Sequence, residues 1–528
     1  MSSAPVDEAT AGLPQEPPLP PMDSVGFLRW TWRQLTSMRT ALILLFLLAI
    51  ASVPGSVFPQ RGSNPLKVDQ WLANNPKSGP ILDKLGFFDV FAAPWFAAVY
   101  LLLFISLIGC VVPRVAKYAQ AVRTPPPPAP RQMGRMPALS EFLSTSDTDA
   151  LLNLAARSLR RRRWRVRTGI SSDGSRWVAA EKGYLREVGN LVFHLSLLFI
   201  LIAVAVGGLF GWKGNVIVRE GTGFSNSLTQ YDAWGGGRFV DPDTLPPFSF
   251  TLESFKADFE RGDAQRGAPR LFEADIRYRE SPGADQVKTT IEVNEPLKID
   301  GAKVFLVGHG YAPHLVVRDA TGAVVFDDSV VFLPQDGNFT STGVVKVPDA
   351  NPSLGFSGVF LPTAEMDPLR GGFSSFPASD NPVLLLGAFR GDLGMDAGVP
   401  QNVYKLDTAK MVKIGLDSLK PGETWTLPGK SGSITFSGLD RYATFQIAFD
   451  PGKELALGAV TAALAGLILS LFVRRRRIWV KVSAEPGRGF LVQVAALAKN
   501  EGADLSEDVT ALADHLAGSD AADDRRAP

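Results

Sequence analysis

The chain has 528 residues and a net charge of +1 at pH 7, with 54 Lys and Arg against 53 Asp and Glu. That length suggests two or three units, and that balance excludes a general pull toward nucleic acid or acidic partners. A single cysteine, Cys110, excludes an internal disulfide, a CxxC redox pair and a cysteine-rich metal site. There is likewise no CxxCH haem-attachment motif, nucleotide loop, Gly-x-Ser-x-Gly elbow or HExxH.

Residues 1–24 are rich in Pro, Ala and acid, which predicts a disordered cytoplasmic tail rather than a cleaved signal peptide. Residues 25–113 hold two apolar stretches, Thr40–Phe58 and Pro94–Val112, each near the roughly 20 residues a membrane helix needs. The short loop 58–93 between them carries four basic and three acidic residues. Loop 114–186 carries 15 basic against 5 acidic residues. It opens with the extended spacer TPPPPAP (124–130). After the spacer, a capped helix and a hairpin around Ser172–Gly174 make a small α+β unit. Its Arg160–Arg163 run reads first as a topogenic, lipid-facing cluster, with a grip on a phosphate or propionate as the alternative.

A third apolar stretch follows at 187–211, with its core at Val188–Gly211. Segment 212–454 is of a different kind. It has 23 basic against 31 acidic residues and short alternating runs broken by Gly and Pro. HLVVRDATGAVVF reads as strand, turn, strand with Asp319–Gly322 at the bend, and ADIRYRESPGADQVKTTIEV repeats the pattern. The segment is expected to be all β, a sandwich or open barrel. The fourth stretch is Leu455–Val473, and Arg474–Arg477 follow it directly. The tail 474–528 continues with IWVKV and a short amphipathic helix at DLSEDVTALADHLAG, where His515 is a solvated residue.

Short cytoplasmic loops collect Lys and Arg, so both termini and loop 114–186 are placed inside, with 58–93 and 212–454 outside. The expected fold is a polytopic membrane protein with four transmembrane α-helices. A large all-β extracytoplasmic domain lies between the third and fourth, and a small α+β unit occupies the cytoplasmic loop.

Only four histidines occur, and His194 is the one ionisable side chain within the third stretch. Such groups are costly at membrane depth and mark a partner, a cavity or a ligand. His194 either hydrogen-bonds a neighbouring helix or ligates a metal or haem iron through its neutral imidazole. It lies about 9 Å inside the cytoplasmic end of its span and about 25 Å from the outer end, at 1.5 Å per residue. His309 and His314, in GHGYAPH, therefore belong to another site if they bind anything, and turn or strand-end roles are the simpler reading. If His194 binds haem through a two-histidine site, the second ligand has to come from another chain. Cys110 reads as a small buried residue.

Four stretches resemble the ResB family, also called CcsB, of System II cytochrome c biogenesis. They are SMRTALILLFLLAIASVPGSVFPQ (37–60), SLIGCVVPR (106–114), EKGYLREVGNLVFHLSLL (181–198) and EVNEPLKIDGAKVFLVGHGYAP (292–313). The likeness runs from about residue 25 to 482. It implies a bacterial plasma-membrane protein that works with a CcsA-like multispan partner in a haem-exporting cytochrome c synthase. Such a protein is not catalytic alone; it assists haem transport and delivery to apocytochrome c. By this resemblance His194 matches the family's intramembrane ligand of b-type, non-covalent haem in transit, and the external ligand histidines belong to the partner. His309 and His314 stay secondary candidates. The partners implied are the CcsA-like protein, apocytochrome c and the lipid bilayer, with no nucleic acid. A membrane-anchored envelope or receptor-type protein binding an extracellular ligand through the β domain is the alternative. A hydrolytic enzyme has no motif behind it.

Overall fold

The computed structural model describes residues 23–63, 65–367, 371–395, 403–498 and 505–524. The tail expected over 1–24 lies, as far as residue 22, outside the described residues. The chain forms two compact units. One is drawn from residues up to Gln60, Val68–Ala203 and Glu454 onward, the other from Arg61–Lys67 and Val204–Lys453.

Among the described residues, four helices are long and apolar enough to cross a membrane: Met38–Val57, Pro94–Arg123, Leu185–Phe210 and Lys453–Phe472. The Ser37 hydroxyl caps the first by accepting from the Thr40 amide at 3.2 Å. An amphipathic helix, Ser24–Leu35, precedes it, capped by Asp23, and had no counterpart in the sequence reading. The second span was expected to end at Val112 but runs on through Pro113 to Arg123. An internal proline removes one backbone bond without ending this helix. The run beginning at Pro125 does end it, because a residue before proline disfavours the helical region.

The hairpin and helix of 114–186 do not stand alone. Helix Thr148–Arg161 is capped by Asp147, and strands Arg165–Ile170 and Arg176–Lys182 pair as the sequence suggests. The structure then adds two strands from the chain's far end. Arg476–Glu485 pairs antiparallel with Arg176–Lys182, Gly489–Ala498 pairs with it in turn, and Ala138–Ser144 closes the other edge. The stretch read as a tail thus supplies the middle of a five-stranded sheet. One face is covered by Leu151, Ala155 and Leu159 of the first helix and by Val509, Leu512 and Leu516 of the C-terminal helix Ser506–Asp524. On the other face Met133, Trp177 and Trp479 pack together, and the Trp479 indole donates to the carbonyl of Pro127 in the proline spacer at 3.1 Å. His515 on the C-terminal helix is exposed, as expected.

Gly183 sits at the corner between this sheet and the third span. Its φ is +88°, and a Cβ there would lie 2.0 Å from the Arg474 carbonyl oxygen, so only glycine fits. The corner is therefore fixed to the chain leaving the fourth span.

From Trp212 to Phe449 the described residues of the second unit form β-strands joined by loops and short 3-10 turns. Two 17-residue strands, Ala302–Arg318 and Ser433–Phe449, pair antiparallel along their length. They thread two cores. One gathers Phe224, Phe250, Ile276, Val304 and Phe445, the other Leu315, Phe332, Phe356, Phe360 and Phe436. The register shifts between Leu306 and Gly308 and again between His314 and Leu315, which bends the pair between the cores. The hairpin expected at Asp319–Gly322 is present, with Asp319 accepting from the Thr321 and Ala323 amides.

Candidate functional site

His194 lies within the third span, one helical turn after Asn190. Its Nδ1 sits 2.8 Å from the Asn190 carbonyl oxygen. A carbonyl only accepts, so Nδ1 carries the proton, and in the neutral ring Nε2 is left with a free lone pair. This is the tautomer a metal-ligating imidazole needs, held by the backbone alone. The Phe193 ring stands perpendicular to the imidazole at 5.3 Å between centroids.

The direction of the side chain follows from helix geometry. Gly189, Ser196 and Ala203 are the buried residues of this span, seven apart along one stripe. Gly189 meets Gly466 of the fourth span at close range; a Cβ on Gly466 would come within 2.6 Å of the Phe193 nitrogen. Small residues allow that backbone contact. At about 100° per residue, His194 is turned roughly 140° away from Gly189. It therefore points away from the seam with the fourth span. The second span reaches the third where the Tyr100 hydroxyl donates to the Leu201 carbonyl, two turns beyond the histidine. In the four spans only 6% to 17% of the most apolar stretch is buried within the chain. The helices cross at points and leave broad faces for lipid or another membrane protein. Cys110 is half-buried and donates weakly to the Leu107 carbonyl, as a packing residue would.

His309 and His314 lie within strand Ala302–Arg318, not at a turn or strand end as expected. His314 has both nitrogens engaged, Nδ1 with the Ser329 hydroxyl at 3.0 Å and Nε2 with Asp327 at 2.8 Å. His309 is enclosed by rings: Phe339 at 4.5 Å, Phe272 at 4.7 Å, Phe255 at 5.0 Å and Phe259 at 6.1 Å between centroids. Its Nε2 is buried with no hydrogen-bond partner among the described residues. Burial, with Arg441 adding to it, pushes its pKa down to about 4.

That shift has a testable sign. Above pH 6.5 the ring is neutral in both folded and unfolded chains and contributes nothing. Between 6.5 and 4 the unfolded chain takes up a proton that the native chain refuses, so stability is lost as pH falls. The expected loss reaches about 3 kcal/mol by pH 4. Urea unfolding of the second unit should show this slope, and His309→Leu should flatten it. An unchanged slope would mean that His309 is not held neutral.

Sequence reasoning missed Glu181. Only 1% exposed, it receives a hydrogen bond from Arg475, with Arg477 at 3.3 Å and Arg165 at 3.5 Å. Arg475 also reaches Glu187 at 2.8 Å. Burial raises the Glu181 pKa, but the guanidiniums outweigh it and hold the carboxyl below its usual range. Four consecutive arginines before a strand were the signal, since alternation sends every second one to the same side. Among the described residues no group of three or more His, Cys, Asp or Glu gathers as a metal site.

The model of the ResB-like family matches residues 38–510. The chain is similar to the cytochrome c biogenesis protein CcsB of Synechococcus sp. (strain WH7803), 30% identical over 276 residues. That match covers 51% of this chain and 58% of the relative, so it spans little more than half the relative's length. It is also similar to the proteins of the same name from Thermosynechococcus vestitus, 25% identical over 84% of this chain and 87% of the relative. With that of Synechococcus sp. (strain RCC307) it is 25% identical, over 86% and 90%.

Proposed function

The chain belongs to the ResB-like family, and from that premise we propose that it serves cytochrome c biogenesis as a multi-pass membrane component that holds haem in transit. His194 is the residue that would take the iron, and the cargo would pass to apocytochrome c on the outer side. The observation that carries this reading is the His194 imidazole itself. Its proton is fixed on Nδ1, its Nε2 has no hydrogen-bond partner among the described residues, and it points away from the seam with the fourth span. A CcsA-like multispan protein seated on that open face would supply the second axial ligand and close the groove around the porphyrin. The relatives' role in cytochrome c biogenesis supports the reading. The outer unit, with His314 locked in a hydrogen-bond pair and His309 sealed among phenylalanines, would serve protein contact rather than iron ligation.

Both termini and the five-stranded sheet are proposed to lie inside a bacterial plasma membrane, and the β unit outside. Alkaline phosphatase fused after residues near 75 and 300 should be active, and after 140 or 520 silent. Activity at 140 would overturn the topology. The haem reading is tested by the absorption spectrum of the protein purified with its membrane partner, where a Soret band is expected. A colourless complex from haem-replete cells would sink it.

A further inference from the structure

A cavity of about 1030 Å³ opens where helix Thr148–Arg161 ends, strand Arg176–Lys182 turns into the third span, and the fourth span runs into strand Arg476–Glu485. That volume is at the upper end of small-molecule sites. Its walls divide by chemistry. Leu185, Phe472 and Val473, at the ends of two spans, supply an apolar side. Arg162, Arg163, Lys182, Arg474 and Arg476 supply a cationic one, against a single carboxylate, Asp508. Asp508 pairs with Arg476 at 3.4 Å. Among the described residues, Arg162, Arg163 and Arg474 form no ion pair, and the Lys182 ammonium donates only to the Arg162 carbonyl at 3.3 Å. Five cations against one anion leave an excess of four.

This excess is sorted, not merely accumulated. Along the strand that begins at Arg476, alternate residues take opposite sides. Arg475 and Arg477 turn to the buried Glu181, while Arg474 and Arg476 line the cavity. The nearby carboxylates Glu181 and Glu187 are thus spent on the other set. The cavity also reaches Leu185, the first residue of the third span, where the helix dipole favours an anion. A cluster that served only to orient the chain would need neither a concave shape nor an apolar wall.

We propose that this cavity is an interfacial site for an anionic amphiphile: an apolar body with acid groups along one edge. Two sources carry that chemistry at a membrane surface, the propionate edge of a porphyrin and an anionic phospholipid. The porphyrin source rests on the function proposed above; the lipid source does not.

The test uses the full-length chain in phosphatidylcholine nanodiscs, titrated with iron-free protoporphyrin IX and read by porphyrin fluorescence. Without iron, His194 has nothing to ligate, so the two sites separate. Arg162→Gln with Arg474→Gln should weaken porphyrin binding about tenfold or more. The porphyrin dimethyl ester should bind as poorly to the unaltered chain. Arg162→Lys with Arg474→Lys should keep most of the affinity. In a parallel arm, native mass spectrometry after extraction from phosphatidylglycerol-containing membranes reads retained lipid. Phosphatidylglycerol held by the unaltered chain and lost from the Gln variant, with no charge-dependent porphyrin binding, assigns the site to lipid. If the Gln variant melts normally and changes neither porphyrin affinity nor retained lipid, the proposal is overturned. A His194→Ala chain that keeps haem sinks the assigned function but leaves this site standing.

Discussion

Replacing His194 with Ala is expected to strip the co-purified complex of most of its haem, by about tenfold or more, and to cut cytochrome c maturation in step. The substitution removes the one ionisable side chain between Val188 and Phe210. Span length, the Gly189–Gly466 crossing and the Tyr100–Leu201 hydrogen bond are all untouched, so the protein should still insert and accumulate. Free imidazole at millimolar concentration should restore part of the pigment, because it fits the vacated volume and supplies the same donor atom. His314→Ala should leave pigment unchanged, since both of its nitrogens already have partners. Normal haem content in the His194 variant, at normal protein level, would reduce the residue to packing.

The second large effect concerns stability. Glu181→Ala leaves Arg475, Arg477 and Arg165 gathered around a buried space with no carboxylate at its centre. Removing one partner from a buried pair costs about 3 to 5 kcal/mol. For a unit of this size, 3 kcal/mol lowers the melting midpoint by roughly 6 to 12 °C. Trp164, Trp177 and Trp479 lie in this unit's buried clusters and report its melting by fluorescence. The effect should depend on pH in one direction. Because the native carboxyl titrates below its usual range, its contribution is present above the ordinary glutamate pKa near 4.3. It is lost as pH falls through the native value. The variant and the unaltered chain should therefore converge in acid. A midpoint within about 2 °C at pH 7 would mean that the arginines find water as good a partner.

The four spans were legible because each is a charge-poor run of membrane length, a property of contiguous residues. The β character of 212–454 was legible in the same way, from alternation and turn chemistry. What escaped was pairing across long separations. IWVKV was visible, but nothing local says that Lys481 sits opposite Trp177 in the register of the sheet. Nor could one read that Glu181 meets arginines nearly 300 positions later. Likewise, His309 stood out as a rare residue, but its cage comes from Phe255, Phe259, Phe272 and Phe339, scattered over three segments. At His194 a single ionisable residue in an apolar run was enough to single out a candidate. Its proton position follows from the carbonyl four residues earlier, a local bond that helical spacing makes available. Its orientation was not foreseen, because that depends on which stripe of the helix packs on the fourth span.

The sheet of the first unit also sets an order in time. A ribosome adding roughly 5 to 20 residues per second needs about 15 to 60 seconds to go from Lys182 to Glu485. Until then the hairpin Arg165–Lys182 has no third strand, and an isolated hairpin is marginal in water. Leu151, Leu152 and Leu159 on the neighbouring helix wait uncovered for the same interval. Synthesis of the whole β unit and the last span falls inside that delay, so a segment made before the third span is among the last to mature. A nascent chain halted just after Phe472 would carry every membrane helix and still present an unfinished hydrophobic face to proteases and holdases.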